Sequence, residues 1–175
     1  KIQSELEIIN KKEWSNKLSK ITLKRNNRMK NFMNNASKRI IQYCIKNQID
    51  TIVIGKNDGW KQESVLKDKT NQHFIDIPYE LFIQMLEYKG QDVGIKIIKN
   101  EESYTSGTSF LDNELPIKQN YNKNRRVKRG LFKSNTGRLI NSDVNGSLQI
   151  MRKVFPKVFT NGIEGSLTPI VINVI

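Results

Sequence analysis

Residues 15–48 contain neither proline nor glycine, and their apolar side chains recur with helical spacing. Leu18, Ile21, Met29, Phe32, Met33, Ala36, Ile40, Cys44 and Ile45 fall mostly at steps of three and four, which line one face of a helix. The stretch is predicted to be one long helix, broken at most once. Lys24, Arg25, Arg28, Lys30, Lys38 and Arg39 lie between the apolar positions. They read equally well as a solvated face or as a surface for an anionic partner.

The next segments follow a different pattern. Thr51-Ile-Val-Ile-Gly55 is a short β-branched run ending in glycine, the signature of a buried strand. Pro78 opens a second helix over 78–92, with Leu81, Phe82, Met85, Leu86 and Tyr88 for packing. Gly94 ends it, and Ile95-Lys-Ile-Ile98 predicts the next strand. Strand, helix, strand places the chain in the α/β class. Residues 104–128 read as a polar loop. Arg129–Ser134 and Arg138–Asn141 flank a turn at Asn135-Thr-Gly137 and predict a hairpin. Asp143 is expected to cap a last helix that packs through Val144, Leu148, Ile150, Met151 and Val154.

Charge narrows the partners. Thirty Lys and Arg against 17 Asp and Glu leave a net charge of +13 on 175 residues. Nucleic acid is the first expectation, because each phosphate contact releases condensed counterions. An anionic membrane surface is second, but no basic amphipathic helix with Trp or Phe anchors supports it. A soluble protein with many surface lysines is the third reading. A hydrophobic content of 37% still allows a core. No apolar run is long enough to span a bilayer, and Lys1–Glu7 has no signal-peptide core. The sharpest local charge lies between Pro116 and Lys133: Lys118, Lys123, Arg125, Arg126, Lys128, Arg129 and Lys133, with no acidic residue among them.

Several chemistries are poorly served. Phosphate-loop and nucleophile-elbow motifs do not occur. Cys44 is the sole cysteine, which excludes an intramolecular disulfide and a multi-thiolate zinc site. Its place on the apolar stripe makes it a core residue. His73, the sole histidine, reads as an ordinary partly exposed side chain. Carboxylates remain. Glu101 and Glu102 follow a predicted strand, and Asp143 opens a helix, two residues before Asn145. Acids so placed can converge on Mg2+, which prefers carboxylate oxygens and supports phosphodiester cleavage. Their plainer readings are a solvated strand end and a helix cap.

Ordered motifs then carry a family resemblance. Thr51-Ile-Val-Ile-Gly-Lys-Asn57 with Gly59-Trp-Lys61, then Asn71-Gln72, Phe74, Ile77-Pro78 and Tyr88-Lys89, form its first part. Glu101-Glu-Ser-Tyr-Thr-Ser106 with Ser109-Phe-Leu-Asp112 forms the second. Arg126-Val-Lys-Arg-Gly-Leu-Phe132, Leu139-Ile-Asn141 and Asp143-Val-Asn-Gly146 complete it. Together with the basic helical region over 15–49, these blocks resemble the TnpB/OrfB family of insertion-sequence transposon proteins, traditionally called transposases.

The resemblance implies a partial RNase H-like (RuvC-like) α/β nuclease domain with long basic helices. Its divisions would be a helical region over 1–50, a strand–helix–strand core over 51–100, a basic loop and hairpin over 101–142, and a final helix and tail over 143–175. It also implies an RNA-guided DNA endonuclease: partners DNA and guide RNA, no membrane, and a cytoplasmic, nucleoid-associated location in a bacterium or archaeon. Mg2+ would be the cofactor, with Asp143 as the third acid of the catalytic set. Many members carry the second acid where this chain has Gly55. A family variation moves it to the E-S-Y-T-S block, on Glu102, with Glu101 as the fallback. Asn145 would orient Asp143 or touch the scissile strand. Lys123, Arg125, Arg126, Lys128, Arg129 and Lys133 would contact phosphates.

Two departures qualify these expectations. Nothing in the sequence matches the family's opening "G-I-D-L-G" acid. The chain therefore resembles the C-terminal part of a longer protein, with an N-terminal half missing, Mg2+ weakly held or absent, and no cleavage by this part alone. The four-cysteine zinc ribbon is also replaced, its places held by residues such as Ser109, Asp112 and Thr136, so zinc is not expected. The alternatives are a nuclease-inactive, RNA-guided repressor and a decayed transposase remnant.

Overall fold

A computed structural model describes residues 15–56 and 78–157. The chain divides into two compact units. Of the described residues, 15–48 and 78–93 belong to the first, and 49–56 and 94–157 to the second.

The first unit is a pair of helices, α1 (Asn16–Lys46) and α2 (Tyr79–Gln91). Ser15 caps α1 by accepting the Leu18 amide on its side chain. The buried residues of α1 are Met33, Ala36, Ser37, Ile41 and Cys44. They are all in its C-terminal half and face Ile83, Met85 and Leu86 of α2. The expected stripe is thus shorter and rotated: Ile21, Phe32 and Ile45 are exposed, and Ile41 replaces them inside. A polar clasp joins the pair. The Lys89 ammonium donates to the Asn34 carbonyl at 2.7 Å, the Asn34 side-chain oxygen at 2.9 Å and the Ser37 hydroxyl at 2.6 Å. Burial, and then the charge of Lys38, lower the Lys89 pKa.

The second unit holds two small sheets and one helix. β1 (Thr51–Gly55) and β2 (Lys96–Asn100) pair in parallel, Thr51 opposite Lys96 and Gly55 opposite Asn100. β1 was expected to be buried, but all five of its residues are only half-buried, because its sheet has two strands among the described residues. The strand–helix–strand run is also divided, since α2 belongs to the first unit and both strands to the second. β3 (Arg126–Lys128), β4 (Leu131–Lys133) and β5 (Leu139–Asn141) form an antiparallel sheet with a bulge between Arg126 and Lys128. Phe132 and Ile140 are cross-strand partners and both are buried, which sets the hairpin register.

α3 (Ser142–Val154) packs against β1, β2, β4 and β5. Its most buried residues are polar: Ser142, Asn145, Gln149 and Arg152, at steps of three and four. They face the segment 104–115, expected to be a plain loop and found as a compact series of turns with Thr105, Thr108, Ser109 and Phe110 buried. Backbone that lacks a strand or helix ladder must find other partners once it is buried. α3 supplies them. The Asn145 amide donates to the Thr108 carbonyl at 2.9 Å, and its oxygen accepts the Phe110 amide at 3.0 Å. Gln149 and Arg152 both donate to the Glu114 carbonyl, and the Arg152 guanidinium lies 4.2 Å from the Phe110 ring centre.

Candidate catalytic cleft and basic rim

Two turns aim the acids. After β2 the chain reverses at Glu102, whose carbonyl accepts both the Thr105 hydroxyl at 2.7 Å and the Thr105 amide at 3.3 Å. Thr105 is buried and therefore fixes the turn. At the other side, the Asn141 side chain accepts the amides of Asp143 and Val144 at 2.9 and 3.2 Å. Asn141, not Asp143, is the cap of α3. Asp143 is displaced into the first helical turn, where the exposed amide dipoles favour an anion.

Glu102 and Asp143 line one cleft of about 660 Å³, together with Tyr104, Tyr121, Arg126 and Ser142. The expected pair of acids is therefore brought together, with one expected cation beside it. A Cβ built at Gly55 would stand 2.6 Å from Glu102 Oε2 and 2.6 Å from Ile150 Cδ1. Glu102 thus fills the space that a side chain at Gly55 would need. Glu101 points elsewhere. Its exposed carboxylate pairs with Lys153 at 3.0 Å, and contacts from Ser103 and then Lys153 lower its pKa. Ser142 contributes a buried hydroxyl that has no hydrogen-bond partner among the described residues. No group of three or more His, Cys, Asp or Glu forms among the described residues.

The expected phosphate contacts separate into two sets. Lys123, Arg126, Lys128, Arg129 and Lys133 are exposed. Arg125 is committed to an ion pair, since its guanidinium donates to both oxygens of Glu114, one at 2.8 Å, and to Asn135 at 2.7 Å. Asn145 is fully buried with both ends of its amide used, so it neither touches a scissile strand nor orients Asp143. These two expectations are corrected by the same cause: the turns of 104–115 need internal polar partners.

Sequence reasoning missed Asp112 and Glu114 as the centre of that network. The Glu114 carboxylate also accepts the Ser109 amide at 2.8 Å and the Asn135 side-chain amide at 2.9 Å. Asp112 accepts the Asn135 amide at 2.6 Å and the Thr136 hydroxyl at 3.4 Å, while its own amide donates to Ser109 at 3.2 Å. Hydrogen bonds thus join Ser109, Asp112 and Thr136, which the resemblance set at the zinc-ribbon places. Burial pushes both carboxyls up, but it is outweighed. At Asp112 Ser109 and the Asn135 and Thr136 amides prevail, and at Glu114 Arg125 and the Ser109 amide prevail, so both pKa values lie below their ordinary ones. His73, Trp60 and Lys61 lie outside the described residues.

The family profile described as "Probable transposase" (OrfB, IS605) matches residues 1–61, and the Cas12f1-like TNB domain profile matches residues 79–150. Together these matches support a TnpB/OrfB-family protein. A TnpB/OrfB-family chain should share its fold with solved relatives, and it does. It resembles Cas12f1 in a cryo-EM structure of the Cas12f1–sgRNA–target DNA complex, with a TM-score of 0.59 and 22% identity. The match covers 77% of this chain and 36% of the Cas12f1 chain, and at that identity it speaks for the fold alone. A search of the curated proteins gives no match. No described helix is long and apolar enough to cross a membrane.

Proposed function

We propose that this chain is the C-terminal nuclease portion of an RNA-guided DNA endonuclease of the TnpB/OrfB type. Glu102 and Asp143 are its metal-binding acids and Arg126 is the cation beside the reacting phosphate. The observation that carries the reading is the shared cleft of Glu102 and Asp143, with Glu102 set against Gly55. The donor set is all oxygen: two carboxylates and the Ser142 hydroxyl, which has no hydrogen-bond partner among the described residues. That chemistry suits Mg2+ rather than a soft metal. Mg2+, when bound, supplies a more acidic water and offsets charge on the leaving oxygen. The chain's own residues hold position: Thr105 fixes the Glu102 turn, Asn141 fixes the start of α3, and Arg126 attracts the phosphodiester.

The test uses a full-length parent with guide RNA and Mg2+. Glu102→Ala and Asp143→Ala each abolish cutting and leave guide-directed DNA binding nearly intact, because removing an anion does not weaken attraction to phosphate. Glu101→Ala cuts at the parental rate. Normal cutting by both Glu102→Ala and Asp143→Ala would overturn the assignment. The 175-residue chain alone is expected to bind nucleic acid without cutting it.

A further inference from the structure

We propose that Asn145 is a positioning residue for Glu102. It pins the turns that carry Glu102 to α3, the helix that carries Asp143, and so fixes the separation of the two acids. The proposal rests on the reading of this cleft as a metal-dependent nuclease site and adds a residue that acts on it from the core.

The turn after β2 does not hold itself. Tyr104 has φ of 65°, a left-handed conformation that bulky residues seldom adopt and that persists only where its surroundings enforce it. Two hydroxyls do so. Thr105 donates to the Glu102 carbonyl at 2.7 Å, and Thr108 donates to the Tyr104 carbonyl at 2.9 Å. The second bond holds Tyr104 only if residue 108 is itself held, and residue 108 lies in no strand or helix.

Asn145 holds it. Its amide nitrogen donates to the Thr108 carbonyl at 2.9 Å and its oxygen accepts the Phe110 amide at 3.0 Å, so one side chain grips both flanks of Ser109. Asn145, Thr108 and Ser109 are fully buried, which keeps water from competing for these bonds. A single bond would let the segment pivot, whereas two bonds from one planar amide fix its place and direction. The relay therefore runs from Asn145 to Thr108, from Thr108 to Tyr104, and from there to Glu102. At its other end Asn145 stands two residues after Asp143 in the same helix, whose backbone ladder makes that spacing rigid.

Gln149 supplies the contrast. It lies one turn further along α3, is equally buried and donates to the Glu114 carbonyl at 3.1 Å. It anchors the far end of the same turns, beyond the Thr108 bond that holds Tyr104. Gln149 thus shares the part of Asn145 in stability but not its path to Glu102. Carboxylates that serve one metal site must keep their geometry to within about 0.5 Å, and loss of a group that orients a ligand costs about 10- to 100-fold in metal affinity.

The experiment uses the full-length parent without nucleic acid and follows Mn2+ binding by EPR, Mn2+ being an oxygen-preferring ion like Mg2+. Asn145→Ala and Thr108→Val each raise the half-saturating Mn2+ concentration by about tenfold. The double variant is little worse than either single one, because both break one relay. Gln149→Met lowers the melting temperature and leaves Mn2+ binding at the parental value. With guide RNA and target DNA, cutting by Thr108→Val returns toward the parental rate as metal is raised. Parental Mn2+ binding in Thr108→Val overturns the proposal even where Asn145→Ala fails to fold. An equal rise in Gln149→Met overturns it too, since Asn145 would then only stabilise the turns. Glu102→Ala separates the two readings: if it binds Mn2+ and cuts as the parent does, the nuclease site itself is misassigned and the positioning role falls with it.

Discussion

Glu102 Oε2 lies 2.6 Å from the point where a Cβ at Gly55 would stand. The end of β1 and the turn after β2 therefore compete for one volume, so a side chain at residue 55 requires Glu102 and Ile150 to shift. Gly55 opposes Asn100 in the parallel register, which brings the two strand ends level and puts Glu102 within reach.

Gly55→Ala is expected to destabilise the chain by about 1–3 kcal/mol through overpacking against Glu102 and Ile150. Glu102→Gly in the same chain recovers part of this loss, since one of the two clashing side chains is gone while Ile150 stays. A double-mutant cycle by thermal or denaturant unfolding measures the coupling. Strictly additive effects would contradict the shared volume.

The acid limb of stability should follow the turn network. Asp112 and Glu114 have lowered pKa values in the folded chain. Their contribution is fully present above the unfolded values, near pH 4, and is lost as pH falls through the folded ones. Glu114→Gln removes one titrating group and should flatten the decline in stability below about pH 4. Glu114→Ala leaves the Ser109 amide without its acceptor and the Arg125 guanidinium with Asn135 alone, and costs about 2 kcal/mol at neutral pH. Unfolding curves across a pH series check both.

Chelator treatment should leave the melting temperature unchanged. Ser109, Asp112 and Thr136 are connected by hydrogen bonds, and Glu114 with Arg125 and Asn135 adds an ion pair. Asp112→Ala, by contrast, should lower the melting temperature with or without chelator. A drop on chelation together with one zinc per chain would refute this.

The exposed rim should set the salt dependence of nucleic-acid binding. Neutralising Arg126, Lys128, Arg129 and Lys133 together lowers the slope of log affinity against log salt, by about 0.7 for each lost single-strand phosphate contact. Neutralising Arg125 should act on stability instead, because its guanidinium is held by Glu114 and Asn135. Filter binding over a salt series, run beside thermal melts, separates the two.

The sequence alone determined the elements whose signal is local. Helical spacing over 15–48, the β-branched run ending at Gly55 and the Asn135-Thr-Gly137 turn each depend on neighbours a few residues away, and each element formed near its expected place. The ordered motifs were enough to assign the family and to nominate Glu102 and Asp143. Tertiary structure decided what depends on distant partners. Asn145 and Arg125 carry the residue types of a nucleic-acid contact, yet one is buried against Thr108 and Phe110 and the other is paired with Glu114. α3 keeps its expected apolar side chains half-buried and buries a polar face more deeply, because the turns of 104–115 have backbone groups that no strand or helix satisfies. Which side chain meets an unpaired carbonyl some 37 residues away is a matter of chain path, and no local pattern encodes it.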